Sequence, residues 1–391
     1  MRAKRLAVVV LALLLATATS SVATAAPVTP VPPLNAPLHL ARGKAIAGQY
    51  IVVLKSGYDA RAVAAAAGSG PRHVYDSVLN GFAATLTPVQ VNMLRRMSAV
   101  DYIEEDAEIS IDTTQNMDAN GDPWGLDRID QRNLPLSRTY TYNHTGAGVR
   151  AYIIDTGIQT SHPEFGGRAS AVYDAFGGNG QDCNGHGTHV AGTVGGATYG
   201  VAKQALLRAV RVLNCNGSGS NSGVIAGMNW VRQNSIHPAV ANMSLGGAFS
   251  SSINTAATNL ANSGVFLAVA AGNSNANACN FSPASASGVF TVAASDKTDL
   301  KASFSNFGSC VEAYAPGVAI KSAWLNGGTN TISGTSMATP HVTGVGALYK
   351  STFGDAASST INSFIINNAT SGVIRGNPAG TPNRLLFTAG M

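Results

Sequence analysis

Five almost uninterrupted apolar segments beyond residue 148 constrain the fold of this 391-residue chain more than any other feature. They are Val149–Ile154, Leu206–Leu213, Val240–Leu245, Val265–Ala270 and Val289–Ala293. A strand that is apolar on both faces has to be covered on both faces, as in a parallel sheet that lies between two layers of helices. Stretches of helical character separate the segments. The sequence therefore predicts an α/β three-layer sandwich with a mainly parallel central sheet.

Three polar residues stand out because parallel sheets bind their ligands beyond the carboxyl ends of the strands. Asp155 directly follows the first apolar segment, His186 lies in Asn-Gly-His-Gly-Thr-His, and Ser336 lies in Gly-Thr-Ser-Met-Ala-Thr-Pro. Considered alone, such an aspartate usually forms a turn, a single histidine is usually structural, and such a serine can cap a helix. His186 and His189 could instead bind zinc, but Gly187 occupies the position where that mechanism needs a glutamate.

Together the three residues form a set with a defined chemistry. Ser336 would attack a peptide carbonyl, His186 would remove the proton of its hydroxyl, and Asp155 would hold the imidazole in the correct tautomer. A serine at the start of a helix also directs its backbone N–H at the developing oxyanion. Asn273 follows the buried segment that ends at Ala270 and the small residues after it. Its side-chain amide could be the second oxyanion donor, although a turn is the simpler explanation for a single asparagine.

Three short segments resemble the signatures of the subtilisin-like serine peptidases and occur in the same order. They are Asp155-Thr156-Gly157, Gly185-His186-Gly187-Thr188-His189 and Gly334-Thr335-Ser336-Met337-Ala338. Three further segments are similar in sequence to the proteinase K branch of that family, namely Pro123–Ile129, Asp182–His186 and Cys215–Gly219. The resemblance covers nearly all of residues 118–388. It implies the subtilisin-like fold and a serine endopeptidase that works through an acyl-enzyme.

The resemblance also implies how a peptide substrate binds. Ser244-Leu245-Gly246 resembles the strand that pairs with the substrate on one side of the cleft, and Gly217-Ser218-Gly219 resembles the strand opposite. Main-chain pairing with both strands binds peptides without strict selectivity. Ala270-Ala271-Gly272 would line the first specificity pocket with small residues and without an acidic group. The resemblance therefore implies broad specificity, with apolar or aromatic residues preferred before the cleaved bond.

The four cysteines are consistent with an oxidising destination and allow three pairings. The family resemblance implies the pairs Cys183–Cys215 and Cys279–Cys310.

Structural calcium is the cofactor that the resemblance implies, because oxygen ligands can tie surface loops to the edge of a sheet. Two sets of ligands match by position. They are the carbonyls of Ser287 and Val289 with the carboxylate of Glu312, and the side chains of Asp127, Asp130 and Gln131. In the first set, the relatives carry a shorter aspartate in place of Glu312. The alternative for both sets is that they are solvated surface groups.

The first 112 residues divide into three segments of different composition. Residues 1–25 have the basic start, apolar stretch and Ala-Thr-Ala cleavage site of a secretory signal peptide. Residues 26–47 are rich in proline and alanine and predict an extended linker. Residues 48–112 predict a small α+β domain, which is similar to the inhibitory propeptide of the same family.

Five elements are predicted in this small domain. They are strands Tyr50–Leu54, Phe82–Leu86 and Val100–Ile103 and helices Arg61–Ala67 and Pro88–Met97, and the last strand is followed by the acidic run Glu104-Glu105-Asp106. The resemblance implies that the domain lays its C-terminal strand in the cleft, inhibits the enzyme and assists its folding. The enzyme would cut itself within Ile111–Met117, which leaves residues 118–391 as the peptidase domain.

The charge distribution argues against two classes of partner. The formal net charge is +5, and Arg2, Lys4 and Arg5 contribute three of these charges. The remainder is too small and too scattered for nucleic-acid binding, and no apolar run beyond the N-terminus reaches the ~18 residues of a membrane span. We therefore expect a secreted, extracellular monomer that acts on proteins and peptides, with its own propeptide as an intramolecular inhibitor. The alternative is a catalytically silent binding relative of the same fold, which the complete catalytic set disfavours.

Overall fold

The computed structural model describes residues 36–41, 45–110, 114–115 and 123–391. The predicted signal peptide and most of the predicted linker lie outside these ranges. The strands are β1 (Leu38–His39), β2 (Ala45–Leu54), β3 (Pro71–Tyr75), β4 (Gly81–Thr85), β5 (Val100–Ser110), β6 (Thr114–Gln115), β7 (Arg150–Asp155), β8 (Ala169–Asp174), β9 (Leu206–Arg211), β10 (Ser218–Ser220), β11 (Ala239–Met243), β12 (Gly247–Ala248), β13 (Phe266–Ala270), β14 (Phe281–Ser282), β15 (Phe290–Ser295), β16 (Ala313–Pro316), β17 (Ile320–Ala323), β18 (Thr329–Ser333), β19 (Thr370–Ser371) and β20 (Arg384–Leu385). The α-helices are α1 (Ala60–Ala66), α2 (Pro88–Leu94), α3 (Trp124–Ile129), α4 (His186–Gly195), α5 (Asn221–Asn234), α6 (Ser251–Ala261), α7 (Thr335–Phe353) and α8 (Ser358–Asn368).

A nine-stranded sheet forms the centre of the described part of the peptidase, in the order β19-β20-β16-β15-β13-β11-β7-β9-β8. Neighbouring strands run parallel from β8 to β20, and the pair β19–β20 at the other edge is antiparallel. The five predicted apolar segments correspond to β7, β9, β11, β13 and β15. The prediction of an α/β sandwich with a mainly parallel sheet is confirmed.

Helices cover both faces of this sheet. One core contains Val194 of α4 and Val345 of α7. A second core contains Met228 of α5 and Leu260 of α6. The continuous apolar character of the strands follows from this arrangement, because successive side chains of a strand enter different cores.

The propeptide segment folds into the predicted α+β unit but includes more of the chain than predicted. Its strands lie in the order β1-β5-β2-β4-β3. Within the predicted linker, Leu38–His39 pairs in parallel with β5, and β2 already begins at Ala45. The strand β3 was not predicted, and β5 continues through the acidic run to Ser110 instead of ending at Ile103. Acidic residues are unfavourable in strands, but here two of them meet partners on the peptidase, as described below.

The propeptide and peptidase segments share a sheet and a core. The β10 strand of the peptidase pairs with β5. Ile51, Val53 and Leu79 of the propeptide lie in the same apolar cluster as residues of α5 and α6. None of the helices in the described ranges has the length and apolar character needed to cross a membrane.

Candidate active site

Asp155 and His186 form a buried hydrogen-bonded pair at the carboxyl end of the central strands. Asp155 is the last residue of β7, and His186 is the first residue of α4. The Nδ1 atom of His186 lies 2.7 Å from Oδ1 of Asp155. Because a carboxylate only accepts, Nδ1 carries the proton and Nε2 has the available lone pair. Nε2 is buried and has no hydrogen-bond partner in the described part of the chain.

Close packing explains the two glycines beside His186. Gly185 has a φ of 107°, and a Cβ there would lie 2.5 Å from the ring of Trp324. A Cβ on Gly187 would lie 2.1 Å from the carbonyl oxygen of Gly157. The Gly-His-Gly sequence therefore allows the start of α4 to pack against the turn that follows β7.

Asp182 stabilises the same loop through hydrogen bonds that its carboxylate accepts. Its Oδ1 accepts from Oγ1 of Thr156 at 2.9 Å and from the amide of Gly185 at 3.0 Å. Its Oδ2 accepts from the amide of Thr188 at 2.9 Å and from the hydroxyl at 2.6 Å. One buried carboxylate thus links the turn after β7 to both sides of His186. Sequence reasoning assigned no role to this residue, because a motif does not show which backbone amides and hydroxyls donate to a carboxylate.

Ser336 lies in the first turn of α7, directly after β18 and Gly334. Its Oγ donates to the carbonyl oxygen of Ser244 at 3.0 Å, and the side chain is buried. The hydroxyl is therefore turned toward Ser244 rather than toward Nε2 of His186. The backbone N–H groups in the first turn of a helix have no intrahelical acceptor and lie at the positive end of its dipole. This position suits a group that has to stabilise negative charge.

Thr335 orients the side chain of Asn273. The Oδ1 atom of Asn273 accepts from the amide of Thr335 at 2.8 Å and from its hydroxyl at 2.9 Å. The same hydroxyl accepts from the amide of Gly272 at 3.1 Å. The carbonyl oxygen of the Asn273 side chain therefore faces α7, and Nδ2 is the atom of this amide that acts as a hydrogen-bond donor. Sequence reasoning missed Thr335, although it lies within the Gly-Thr-Ser motif.

A pocket of about 110 Å³ adjoins Asn273 and Ser336. Its lining consists of Leu245, Gly246, Gly247, Ala270, Ala271, Gly272, Asn273, Phe281, Ser282, Thr335 and Ser336. The lining includes Ala270-Ala271-Gly272, which were predicted to form the first specificity pocket, and Leu245 and Gly246 from the segment that was predicted to pair with the substrate. It also includes Phe281 and Ser282, which sequence reasoning missed. None of these lining residues is charged. The pocket is suited to an apolar side chain.

Two segments of the backbone that precedes the peptidase domain pair with peptidase strands. Residues 108–110 of β5 pair antiparallel with Ser218–Ser220, which include Ser218 and Gly219 of the segment predicted to bind substrate. Gly217, with a φ of 75°, forms the turn that leads into this strand. Thr114–Gln115 pairs antiparallel with Ile332–Ser333 of β18, which leads through Gly334 to the start of α7. Both described segments thus pair with peptidase strands, as an extended peptide would, and the rest of the predicted cleavage range Ile111–Met117 lies outside the described residues.

Two carboxylates of β5 cap two helices of the peptidase. Oε2 of Glu104 accepts from the amide of Ser252 at 2.9 Å and from its hydroxyl at 2.7 Å, at the start of α6. Oδ1 of Asp106 accepts from the amide of Ser222 at 3.0 Å, at the start of α5, and its Oδ2 accepts from the hydroxyl of the same serine and from Arg72. Burial raises the pKa of Asp106, which the hydrogen bonds to Ser222 partly offset. Both carboxylates lie at the positive ends of helix dipoles.

The geometry does not favour zinc binding by His186 and His189. The Nε2 atom of His189 is hydrogen-bonded to the carbonyl of Ile320 at 3.0 Å, and its ring packs edge-on against Trp324. Complete burial lowers the pKa of His189 to about 3. The described residues contain no group of three or more His, Cys, Asp or Glu side chains that could hold a metal ion. His189 therefore has a structural role, beneath the loop that carries His186.

Both disulfides that the family resemblance implied are present, Cys183–Cys215 and Cys279–Cys310. The first joins the loop before His186 to the turn before β10.

The first set of candidate calcium ligands is engaged by the protein itself. Oε2 of Glu312 accepts from the amide of Thr291 at 2.5 Å, and burial raises the pKa of Glu312 to about 7. The carbonyl oxygen of Val289 accepts from Asn362 at 3.4 Å, whereas Ser287 is exposed. The longer glutamate side chain thus reaches a neighbouring backbone amide, and this set does not fit a cation as the side chains stand.

The second set of candidate calcium ligands surrounds one loop. The amide of Ser137 lies 3.0 Å from both Oδ1 of Asp127 and Oε1 of Gln131. Oδ2 of Asp130 accepts from the amide of Thr141 at 2.5 Å. Oδ1 of Asp130 is buried without a hydrogen-bond partner in the described residues, and burial raises the pKa of this carboxyl. A buried, unpartnered carboxylate oxygen beside a second carboxylate fits a hard cation.

Comparison with known proteins identifies the class of protein. Residues 146–390 match the Subtilase family of peptidases, and residues 49–112 match the family described as Peptidase inhibitor I9. The chain belongs to the subtilase family and is a subtilisin-like serine endopeptidase with an I9 propeptide.

Relatives and a solved structure agree with this assignment. The chain is 48% identical over 380 residues to the "Extracellular serine proteinase" of Thermus sp. (strain Rt41A), covering 90% of this chain and 92% of the relative. It is 46% identical over 361 residues to "Proteinase R" of Parengyodontium album, with coverage of 90% and 92%. It is 52% identical over 319 residues to "Alkaline serine exoprotease A" of Vibrio alginolyticus, covering 81% of this chain but only 60% of that relative. The crystal structure of a cold adapted subtilisin-like serine proteinase superimposes with a TM-score of 0.67 at 52% identity and covers 69% of this chain and 99% of that chain.

Proposed function

We propose that this subtilase is a secreted enzyme that hydrolyses peptide bonds through Asp155, His186 and Ser336. The observation that carries the proposal is the buried 2.7 Å contact between His186 and Asp155, which leaves Nε2 of the histidine as a base beside the cleft. Ser336 lies at a helix start next to an apolar pocket in the same cleft. The relatives that bear the names of extracellular or alkaline serine proteases are consistent with this chemistry.

The reaction would begin with a rotation of the Ser336 hydroxyl away from Ser244. Its proton would pass to Nε2 of His186 while Oγ forms a bond to the substrate carbonyl carbon. Asp155 stabilises the imidazolium that results. His186 then returns the proton to the leaving amine, and water hydrolyses the acyl-enzyme by the reverse sequence.

The negative charge on the carbonyl oxygen would be stabilised by two donors. One is the backbone amide of Ser336 at the start of α7, and the other is Nδ2 of Asn273, which Thr335 orients. The residue before the cleaved bond would occupy the uncharged pocket beside Ala271. We therefore propose broad specificity with a preference for apolar or aromatic residues at that position.

We infer that the propeptide inhibits the enzyme by occupying its cleft and is removed by self-cleavage. Backbone pairing with Ser218–Ser220 ends at residue 110, and pairing with β18 begins at Thr114. Ser336 lies in the first turn of α7, after β18 and Gly334, and we therefore expect the cleaved bond between residues 110 and 114. This interval narrows the expected range of Ile111–Met117. Capping of α5 and α6 by Asp106 and Glu104 would also help these helices to form while the enzyme folds.

Calcium is proposed as a structural ligand, and the loop around Asp130 is the better supported site. Asp127, Asp130 and Gln131 would hold the ion, and its charge would compensate the two neighbouring carboxylates. At Glu312 the ion would first have to displace the amide of Thr291. We propose that the protein is exported, because residues 1–25 resemble a signal peptide and because a relative bears the name of an extracellular proteinase.

Peptide anilides with Phe, Leu, Lys or Asp before the cleaved bond test the proposed function. We expect turnover of the Phe and Leu substrates, complete inhibition by a reagent that phosphorylates serine, and loss of activity in Ser336→Ala. Mass spectrometry should find the label on Ser336. Activity that persists in Ser336→Ala, or a preference for Lys, would contradict the proposal. Absence of hydrolysis by the mature parent with any substrate would favour the silent relative.

A further inference from the structure

A chain of three buried hydrogen bonds connects the middle of α7 to the carbonyl group of Ser336. The hydroxyl of Thr343 lies 2.8 Å from Oδ1 of Asn242. Nδ2 of Asn242 lies 2.8 Å from Oγ of Ser244. Oγ of Ser244 lies 2.7 Å from the carbonyl oxygen of Ser336. Thr343, Asn242 and Ser244 have no solvent-exposed surface, so these bonds are shielded from bulk water.

The chemistry of the end groups fixes the direction of every bond. A carbonyl oxygen only accepts, so Ser244 must donate to Ser336. The Ser244 hydroxyl has then used its one proton and accepts from Nδ2 of Asn242. Oδ1 of Asn242 therefore faces Thr343, which donates to it. Thr343 also lies 3.3 Å from the carbonyl oxygen of Thr339, but the shorter contact identifies Asn242 as its acceptor. Each member thus orients the next.

Pro340 explains why the carbonyl group of Ser336 needs this donor. In a helix the carbonyl of residue i accepts from the amide of residue i+4. The residue four positions after Ser336 is Pro340, which lies inside α7 and has no N–H. The ordinary helical bond cannot form, and the hydroxyl of Ser244 takes its place.

Ser244 contacts Ser336 in two ways. Its hydroxyl donates to the Ser336 carbonyl, and its own carbonyl accepts from the Ser336 hydroxyl at 3.0 Å. Ser244 also begins the segment that leads to Leu245 and Gly246 in the pocket lining. A displacement of Ser244 would therefore move the nucleophile and the pocket wall relative to each other.

We propose that Thr343 and Asn242 are positioning residues for the reaction, which act through Ser244 to hold Ser336. The proposal rests on the proposed role of Ser336 as the nucleophile. It differs from an ordinary stabilising role because the bonds end on the nucleophilic residue itself. Loss of the Thr343 hydroxyl should therefore lower kcat for each correctly folded active site. KM for a slowly acylated anilide, which reports binding, should change little.

The test compares Thr343→Val, which keeps the shape but removes the hydroxyl, with Thr343→Ser, which keeps the hydroxyl. A second buried threonine provides the matched control. Thr388 has no exposed surface, and its hydroxyl has no partner in the described residues. Rates are expressed per active site, titrated with a reagent that labels the serine nucleophile. We expect kcat of Thr343→Val to fall roughly tenfold with KM within about twofold. Thr343→Ser and Thr388→Val should retain the parental kcat.

Ser244→Ala provides a second test of the proposal, which can be made even if Thr343→Val fails to mature. It should lower kcat at least as much, and adding Thr343→Val to Ser244→Ala should cause almost no further loss, because both changes interrupt the same chain. A kcat of Thr343→Val within about twofold of the parent, or losses that multiply in the double variant, would overturn the proposal. If the reagent does not label Ser336 in the parent protein, the proposed function is overturned instead. The failure of this proposal can therefore be distinguished from the failure of the proposed function.

Discussion

Replacing Glu104 by alanine is expected to detach the propeptide strand from the start of α6. The carboxylate is almost completely buried and accepts two hydrogen bonds from Ser252, at 2.9 and 2.7 Å. Each hydrogen bond to a charged group contributes at least about 1.5 kcal/mol when both partners are buried. Together the two bonds contribute about 3 kcal/mol, so the fraction of molecules with this contact open should rise roughly 150-fold.

Hydrogen exchange in the Ser336→Ala background measures this opening without self-cleavage. The amide protons of residues 250–254 should exchange roughly 100-fold faster in Glu104→Ala. Glu104→Gln keeps one accepting oxygen but loses the charge, so its effect should be smaller, about 1 kcal/mol. Glu105→Gln is the matched control, because the neighbouring carboxylate accepts from Ala41 within the propeptide segment. Exchange of residues 250–254 in Glu104→Ala within about threefold of the Glu105→Gln control would refute the reasoning.

Three further predictions concern the peptidase domain. Asn273→Ala should lower kcat by roughly the 10²–10³-fold that loss of one oxyanion donor costs in subtilisin, with little change in KM; an unchanged kcat would remove Asn273 from the oxyanion hole. Burial raises the pKa of Glu312 to about 7, so its contribution to stability is complete below the ordinary carboxyl pKa and is lost as the pH rises through 7. Without calcium, Glu312→Gln should therefore raise Tm at pH 8–9 and change it little near pH 4, and a Tm equal to that of the parent at both pH values would contradict the raised pKa. If Glu312 binds calcium, the variant should also lose any increase in Tm that calcium gives the parent. Replacing Cys279 and Cys310 by serine should lower the free energy of unfolding by roughly 3–4 kcal/mol in the chain-entropy treatment, measured by denaturant titration of the Ser336→Ala form, and a loss below about 1 kcal/mol would contradict it.

Much of the peptidase could be predicted from its sequence because the relevant chemistry is local. The runs that became β7 and β11 are apolar on both faces, which only a covered parallel sheet satisfies. Three local segments each combine a functional side chain with the backbone that places it: the end of β7 with Asp155, the Gly-His-Gly segment with His186, and the Gly-Thr-Ser segment with Ser336. Both disulfides and the small-residue pocket followed from the family resemblance.

The parts that escaped prediction depend on residues far apart in the chain. Glu104 and Ser252 are 148 positions apart, and nothing in either local sequence indicates that a strand carboxylate will cap that helix. The acidic run therefore seemed to end β5, whereas it continues the strand because its alternate side chains meet two helix starts. Thr335 was overlooked beside the more conspicuous Ser336, although it orients Asn273. At Glu312 one additional methylene lets the carboxylate reach Thr291, which position alone does not indicate.

The most direct test of the proposed reaction is the N-terminal sequence and intact mass of the secreted protein, compared with Ser336→Ala expressed in the same way. The proposed function predicts that the parent loses its propeptide by a cut between residues 110 and 114 and that Ser336→Ala keeps residues 48–112 attached. Identical processing of both proteins would contradict self-cleavage by Ser336. A parental N-terminus outside this interval would contradict the cleavage position that we infer from the two strand pairings.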